Sequence, residues 1–149
     1  MANGIDEEQV QEGSDHREIS VAEFFEKNKH LLGFENPQKS IITVVKEAVD
    51  NSLDACEEED ILPEIQVLID DIGDQKSRVE IRDNAIGLSR ENIPKVFGKL
   101  LYGSKFHKLQ QSRGQQGIGI SASAMYAQLT TGEPVTVYSK QEGEPCHKF

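Results

Sequence analysis

Large apolar side chains are almost absent from the start of the chain, Met1 to about Arg17, and reappear at regular intervals afterwards. A polar, acidic stretch of that kind cannot bury enough surface to offset the entropy of ordering. The pattern predicts a flexible acidic tail over residues 1–17 and one folded unit over 18–149. Ser20-Val-Ala-Glu23 forms a capping box, in which hydroxyl and carboxylate satisfy the N–H groups exposed at a helix start. That helix should run through Phe24, Phe25 and Lys29 to near Leu32, with Gly33 as its stop. A second helix is expected from about Pro37 to Glu58. Its Ile42, Val45, Val49, Leu53 and Cys56 recur at helical spacing and should form one buried stripe. Pro63 follows, where a helix does not easily continue.

Residues 65–69 and 78–81 then read as strands, with a hairpin turn carrying Asp70, Asp71, Gly73 and Asp74. Ser89 should cap a short helix through Val96 and Phe97. Residues 103–116 are polar and punctuated by glycine, as in a long functional loop. A helix rich in small residues is expected over 118–129 and a strand over 135–139, and Cys146-His-Lys-Phe149 looks like the opening of another. Strands with helices between and around them imply an α/β fold: a two-layer α+β sandwich, its mixed sheet covered on one face by helices and lacking its last strands.

Composition narrows the partners. With 26 acidic against 16 basic side chains in 149 residues, the net charge is -10. A chain so acidic is poorly suited to gripping a phosphate backbone, which takes clustered Lys and Arg. Cys56 and Cys146 have no metal or redox spacing and read as reduced, buried thiols. The start has neither a positive n-region nor an apolar h-region, and no apolar run reaches membrane-spanning length, so a soluble cytoplasmic protein is expected.

Three stretches carry candidate chemistry. On the second helix, taking Glu47 as zero and about 100° per residue, Asn51 falls near 40°, Asp54 near -20° and Asp50 near -60°. A carboxylate and a carboxamide thus share one face, opposite the apolar stripe; the plainer reading is a solvated acidic face. Asp83-Asn-Ala-Ile-Gly87 follows a strand directly. A carboxylate there can accept from an exocyclic amine such as that of adenine, and Gly87 would let the backbone approach a flat ring. The plainer reading is an ordinary Asp-Asn turn. Ser112-Arg-Gly114-Gln115-Gln116-Gly117-Ile118-Gly119-Ile120-Ser121 runs from loop into helix. Its glycines free successive N–H groups at a positively polarised helix start, as in a phosphate cradle, or else form a plain hinge. It is neither a P-loop nor a dinucleotide fingerprint, since it lacks the Lys-Ser/Thr pair and the strand-first glycine spacing.

In this order the three stretches resemble the signature of the gyrase–Hsp90–histidine kinase–MutL type of ATPase, over about Ile19 to Lys140. Ser20-Val-Ala-Glu-Phe-Phe-Glu-Lys-Asn-Lys, Leu101-Tyr-Gly-Ser-Lys-Phe-His and the glycine segment are most similar to the B subunits of type VI DNA topoisomerases. The resemblance implies a Bergerat-type ATP-binding fold, with ATP and Mg²⁺ as ligands. It makes Glu47 the base that polarises the attacking water, Asn51 the Mg²⁺ ligand and Asp83 the adenine reader. Ser104 and Lys105 would contact nucleotide, and Gly114, Gln115, Gln116, Gly117, Ile118, Gly119, Ile120 and Ser121 would wrap the phosphates. It also implies dimerisation of the full subunit on ATP binding, a DNA-cleaving A subunit as partner, and DNA held by the assembly rather than by this segment. Tyr102, Tyr126 and Tyr138 are read as core or loop residues.

The chain departs from the family at Ala85 and Ile86, where a glycine and a small residue or proline are usual. A methyl at Ala85 requires a negative φ. The family's lysine that reaches the γ-phosphate comes from a second domain, so this chain alone is expected to bind ATP weakly and turn it over slowly. Two other readings compete: a histidine-kinase-like catalytic domain, and a nucleotide-binding structural module without turnover.

Overall fold

The computed structural model describes residues 21–99 and 118–149. The tail 1–17, Ser20 of the capping box and the loop 103–116 lie outside these residues. Helix α1 (Val21–Asn28) ends earlier than the pattern suggested, and its first turn holds Glu23, ion-paired with Lys27 at 3.4 Å. Turns then lead to Gly33, where Phe34 N–H donates to the Lys29 carbonyl at 2.9 Å and Gly33 N–H to that of His30 at 3.2 Å. These crossed bonds have the Schellman pattern, but at Gly33 they close a turn beyond the end of α1 rather than the helix itself. They turn Phe34 back onto Phe25, ring centroids 5.6 Å apart, and stack it on Tyr126 at 4.8 Å. Phe24, Phe25, Leu32, Phe34, Ile118 and Ala122 form the buried core, with Val44, Met125 and Tyr126 packed against it.

Helix α2 (Pro37–Glu58) has the bounds its periodicity implied. Proline stands in its first turn, where no N–H is needed. Asn36 caps it, its Oδ1 accepting from the Lys39 N–H at 2.9 Å. The single buried stripe needs correction. Cys56 is buried and Val45 and Val49 are half-buried, but Ile42 and Leu53 are 67% and 41% exposed. The reason is that α2 is covered on two sides. Ser40 and Val44 face the core beside the later helix; Ser52 and Cys56, about 120° further round the helix, face the hairpin. Ile42 and Leu53 lie on the flank that neither neighbour covers.

Strands β1 (Ile65–Gly73) and β2 (Lys76–Asp83) pair antiparallel, with Ile65 opposite Asp83 and Gly73 opposite Lys76. The loop between them is Asp74–Gln75, both at positive φ (55° and 59°) as a type I′ turn demands. Asp70 and Asp71, expected in the turn, are strand residues, because the extended pairing continues to Gly73. Helix α3 (Asn92–Phe97) starts later than expected. Ser89 contributes its carbonyl to the Asn92 and Ile93 N–H groups rather than a side-chain cap. Ile93 is fully buried.

Helix α4 (Gly119–Thr131) ends at Gly132 in the left-handed region. Tyr138–Ser139 (β3) and His147–Lys148 (β4) make a second antiparallel pair, shorter than the 135–139 strand the pattern suggested. Val137 and Phe149 extend it with two further backbone bonds of 3.0 and 2.8 Å. Among the described residues the fold is thus α/β with helices beside antiparallel pairs, and the strands form two separate two-stranded sheets rather than one mixed sheet. Both cysteines are free, but only Cys56 is buried; Cys146 is exposed near the end of the chain. No described helix is long and apolar enough to cross a membrane.

Candidate functional site

Helix α2 connects the three stretches singled out in the sequence. On its hairpin side the Ser52 hydroxyl donates to Asp83 Oδ2 at 2.7 Å. The other carboxylate oxygen, Oδ1, accepts from the Ala85 N–H at 3.1 Å. Each oxygen keeps a further lone-pair position, so the exposed carboxylate is oriented without being used up. Asn84 fixes the ground beneath it: its amide donates to the Leu62 carbonyl at 3.0 Å and accepts from the Glu64 N–H at 2.8 Å. The end of β2 is thereby tied to the entry of β1. Non-glycine residues with positive φ among those described are Asp60, Asp74 and Gln75. Ala85 is not one of them, so its methyl sits without strain.

Gly87 has φ of 74°, and a Cβ there would run into the Lys140 carbonyl oxygen, with Ser139 Oγ 3.0 Å away. Close approach is therefore real at Gly87, and on its Cβ side the close neighbour is the protein's own backbone. Ser139 completes the junction: its hydroxyl donates to the Leu88 carbonyl at 3.0 Å and its Oγ accepts from the Leu88 N–H at 2.7 Å.

About 7.5 Å along α2 from Ser52, given 1.5 Å per residue, lies the second junction. A Cβ on Gly119 would overlap Oε2 and Cδ of Glu47. The Glu47 carboxylate therefore lies against the bare Cα of Gly119 at the start of α4. Burial pushes the Glu47 carboxyl above the ordinary carboxylate range; Lys46 opposes this and Asp50 adds to it. Lys46 is held by Asp50 at 2.7 Å, on the exposed side of the helix. Asn51, one turn on from Glu47, is exposed, as is Asp54.

The remaining expected contacts divide as follows. Ile118 sends its side chain into the aromatic core, leaving only its backbone to face a ligand. Gly119 and Ser121 are buried and Ile120 is half-buried. Ser104, Lys105, Gly114, Gln115, Gln116 and Gly117 lie outside the described residues. Sequence reasoning missed Ser52 and Ser139. Both left a signal, a serine at a position that periodicity assigns to an apolar row: Ser52 beside Val45, Val49 and Cys56, and Ser139 in register with Val135 and Val137.

Among the described residues no group of three or more His, Cys, Asp or Glu is placed to hold a metal ion. Asn51 offers one neutral oxygen ligand. That donor set suits an ion that arrives with phosphate oxygens and keeps its waters, as Mg²⁺ does, better than one caged by protein.

The B subunit of type 2 DNA topoisomerase 6 from Archaeoglobus fulgidus is 68% identical over 129 residues, which is 87% of this chain and 21% of that protein. The protein of the same name from Methanococcoides burtonii is 61% identical over 132 residues, 88% of this chain and 21% of that one. That of Halobacterium salinarum is 55% identical over 148 residues, 99% of this chain and 18% of that one. The chain thus spans about a fifth of the length of these relatives. Residues 39–149 match the profile of the histidine kinase-, DNA gyrase B- and HSP90-like ATPases. With most of its length inside that match, and with α2 linking a carboxylate turn to a glycine-led helix, the chain belongs to this ATP-using family.

Proposed function

We propose that the chain is the ATP-binding part of the B subunit of a type II DNA topoisomerase, in which ATP binding closes two subunits and hydrolysis reopens them. The observation that carries this reading is that α2 holds both junctions at once, Ser52 with Asp83 and Glu47 with Gly119. The names of relatives 55–68% identical support it. Asp83, already oriented by two donors, accepts from the exocyclic amine of adenine. Glu47, with its carboxyl raised by burial, is a stronger base than an ordinary carboxylate and is suited to orienting and polarising a water near the terminal phosphate. Asn51 would hold Mg²⁺, which supplies charge neutralisation to the triphosphate when bound. Ser104, Lys105, Gly114, Gln115, Gln116, Gly117 and the backbone at 118–121 would hold the phosphates.

The same reading assigns DNA cleavage to a partner A subunit and DNA contact to the assembly, in the cytoplasm. It is tested by titrating the chain with a non-hydrolysable ATP analogue and Mg²⁺, with Asp83→Asn as control. The amide cannot offer the same pair of acceptors, and affinity should fall at least about tenfold, the scale of one lost charge-assisted hydrogen bond. Equal binding by both proteins, or none by either, would overturn the reading.

A further inference from the structure

We infer that Gly119 is a positioning residue for Glu47: the side chain missing at 119 is the seat in which the Glu47 carboxylate rests. This rests on the functional reading above and assigns the glycine a task separate from opening the backbone to phosphate. The observation is geometric. A Cβ on Gly119 meets Oε2 and Cδ of Glu47, with Cγ 2.9 Å away, and those three atoms are its nearest neighbours among the described residues outside its own stretch of helix. Gly119 is itself buried. Its φ lies outside the left-handed region, so backbone conformation alone does not call for glycine. What calls for it is room for a carboxylate.

The kind of obstacle makes the inference testable. Glu47 Oε2 is the far end of a flexible side chain, so a methyl at 119 can be accommodated if the carboxylate swings out. The fold survives and the base is displaced. A glycine needed only for phosphate approach would behave otherwise. Its substitution would weaken nucleotide binding whether or not a carboxylate stood at 47.

The experiment compares the wild-type chain with Gly119→Ala, Glu47→Ala, the pair of these, and Gly119→Ala/Glu47→Asp. The first readout needs no nucleotide: the Glu47 carboxyl is titrated by NMR in the wild type and in Gly119→Ala. Among the described residues the charged groups acting on it are Lys46 and Asp50, both on α2, and α4 brings no charged side chain. Release of the carboxylate into water should move its titration down toward the ordinary carboxylate value. An unchanged titration would overturn the inference. The second readout is affinity for the non-hydrolysable ATP analogue with Mg²⁺. Adding Gly119→Ala should cost less affinity in the Glu47→Ala background than in the wild type. An equal or larger cost in the Glu47→Ala background would assign Gly119 to the phosphates alone and overturn the seat. Should Gly119→Ala fail to fold, the shorter acid in Gly119→Ala/Glu47→Asp should restore folding; failure of both would show that the methyl meets something other than Glu47. A wild-type chain that binds no nucleotide would sink the proposed function, while the titration would still decide this inference.

Discussion

Gly87 and Gly119 both stand where a methyl group would collide, yet the neighbours they spare differ in kind. At Gly87 the obstacle is the Lys140 main-chain carbonyl, pinned beside Leu88 by both hydrogen bonds of Ser139. At Gly119 it is the end of the Glu47 side chain. The Asp83 end of the site is thus built from backbone and closed hydrogen-bond pairs. The Glu47 end is built from a half-buried carboxylate and an exposed amide, with two different sides of α2 as the supports. Rigid recognition is expected where the ligand part is invariant, as a purine ring is. A yielding arrangement is expected where charge and geometry change during turnover.

The largest effect should come from Gly87→Ala. A non-glycine residue held in the left-handed region costs about 1–2 kcal/mol, and overpacking against a main chain that cannot step aside adds about 1–3 kcal/mol. A loss of about 3 kcal/mol in urea unfolding, at unchanged dependence on denaturant, is expected. Gly119→Ala should lie well below that, since its obstacle can rotate away. Equal losses at the two glycines would erase the distinction between the two ends.

Ser52→Ala comes next. It removes one donor from Asp83, but Asp83 is exposed and water can take the vacated position, so the loss should be about 0.5–1.5 kcal/mol. Affinity for the ATP analogue should fall several-fold in the same variant, because among the described residues the carboxylate is then held only by the Ala85 N–H. A variant that keeps both stability and affinity would show that Ser52 does not orient Asp83.

Local signals carry much of this arrangement. The bounds of α2, the glycine turn at Gly33 and the existence of the hairpin are legible because caps, prolines and alternation act over a few residues. Pairing of distant elements is not. Ile42 and Leu53 fit a helical stripe but lie on its uncovered flank, a fact set by where α4 and the hairpin dock rather than by α2 itself. In the site, Glu47, Asn51, Asp83 and the glycines stand out by residue type and order. Ser52 and Ser139 do not, since a serine announces no chemistry until a partner 31 or 51 residues away is placed beside it. The contact between Glu47 and Gly119 is hidden for the same reason: in the sequence each reads as a partner for ligand, and neither as a partner for the other.

The smallest effect on stability, and the one of opposite sign, should belong to Glu47→Gln. In the fold the Glu47 carboxyl is raised above its ordinary value, with burial as the first cause. Between its ordinary and its raised value the folded chain holds more protons at this position than the unfolded chain does. Stability therefore falls as pH rises through that window. Its contribution is fully present below the ordinary carboxylate value and lost above the raised one. A glutamine of the same shape carries no charge to desolvate and should escape the loss. Thermal unfolding at neutral pH should place Glu47→Gln slightly above the wild type, and the gap should close as the pH drops below the ordinary carboxylate range. Hydrolysis, by contrast, should suffer, by about 10²-fold or more if the side chain is the general base. A variant more stable at neutral pH yet slower in turnover is the pattern expected of a carboxylate held for chemistry at the expense of the fold. If Glu47→Gln is instead less stable at neutral pH, the carboxylate belongs with the closed hydrogen-bond pairs around Asp83, and the contrast between the two ends disappears.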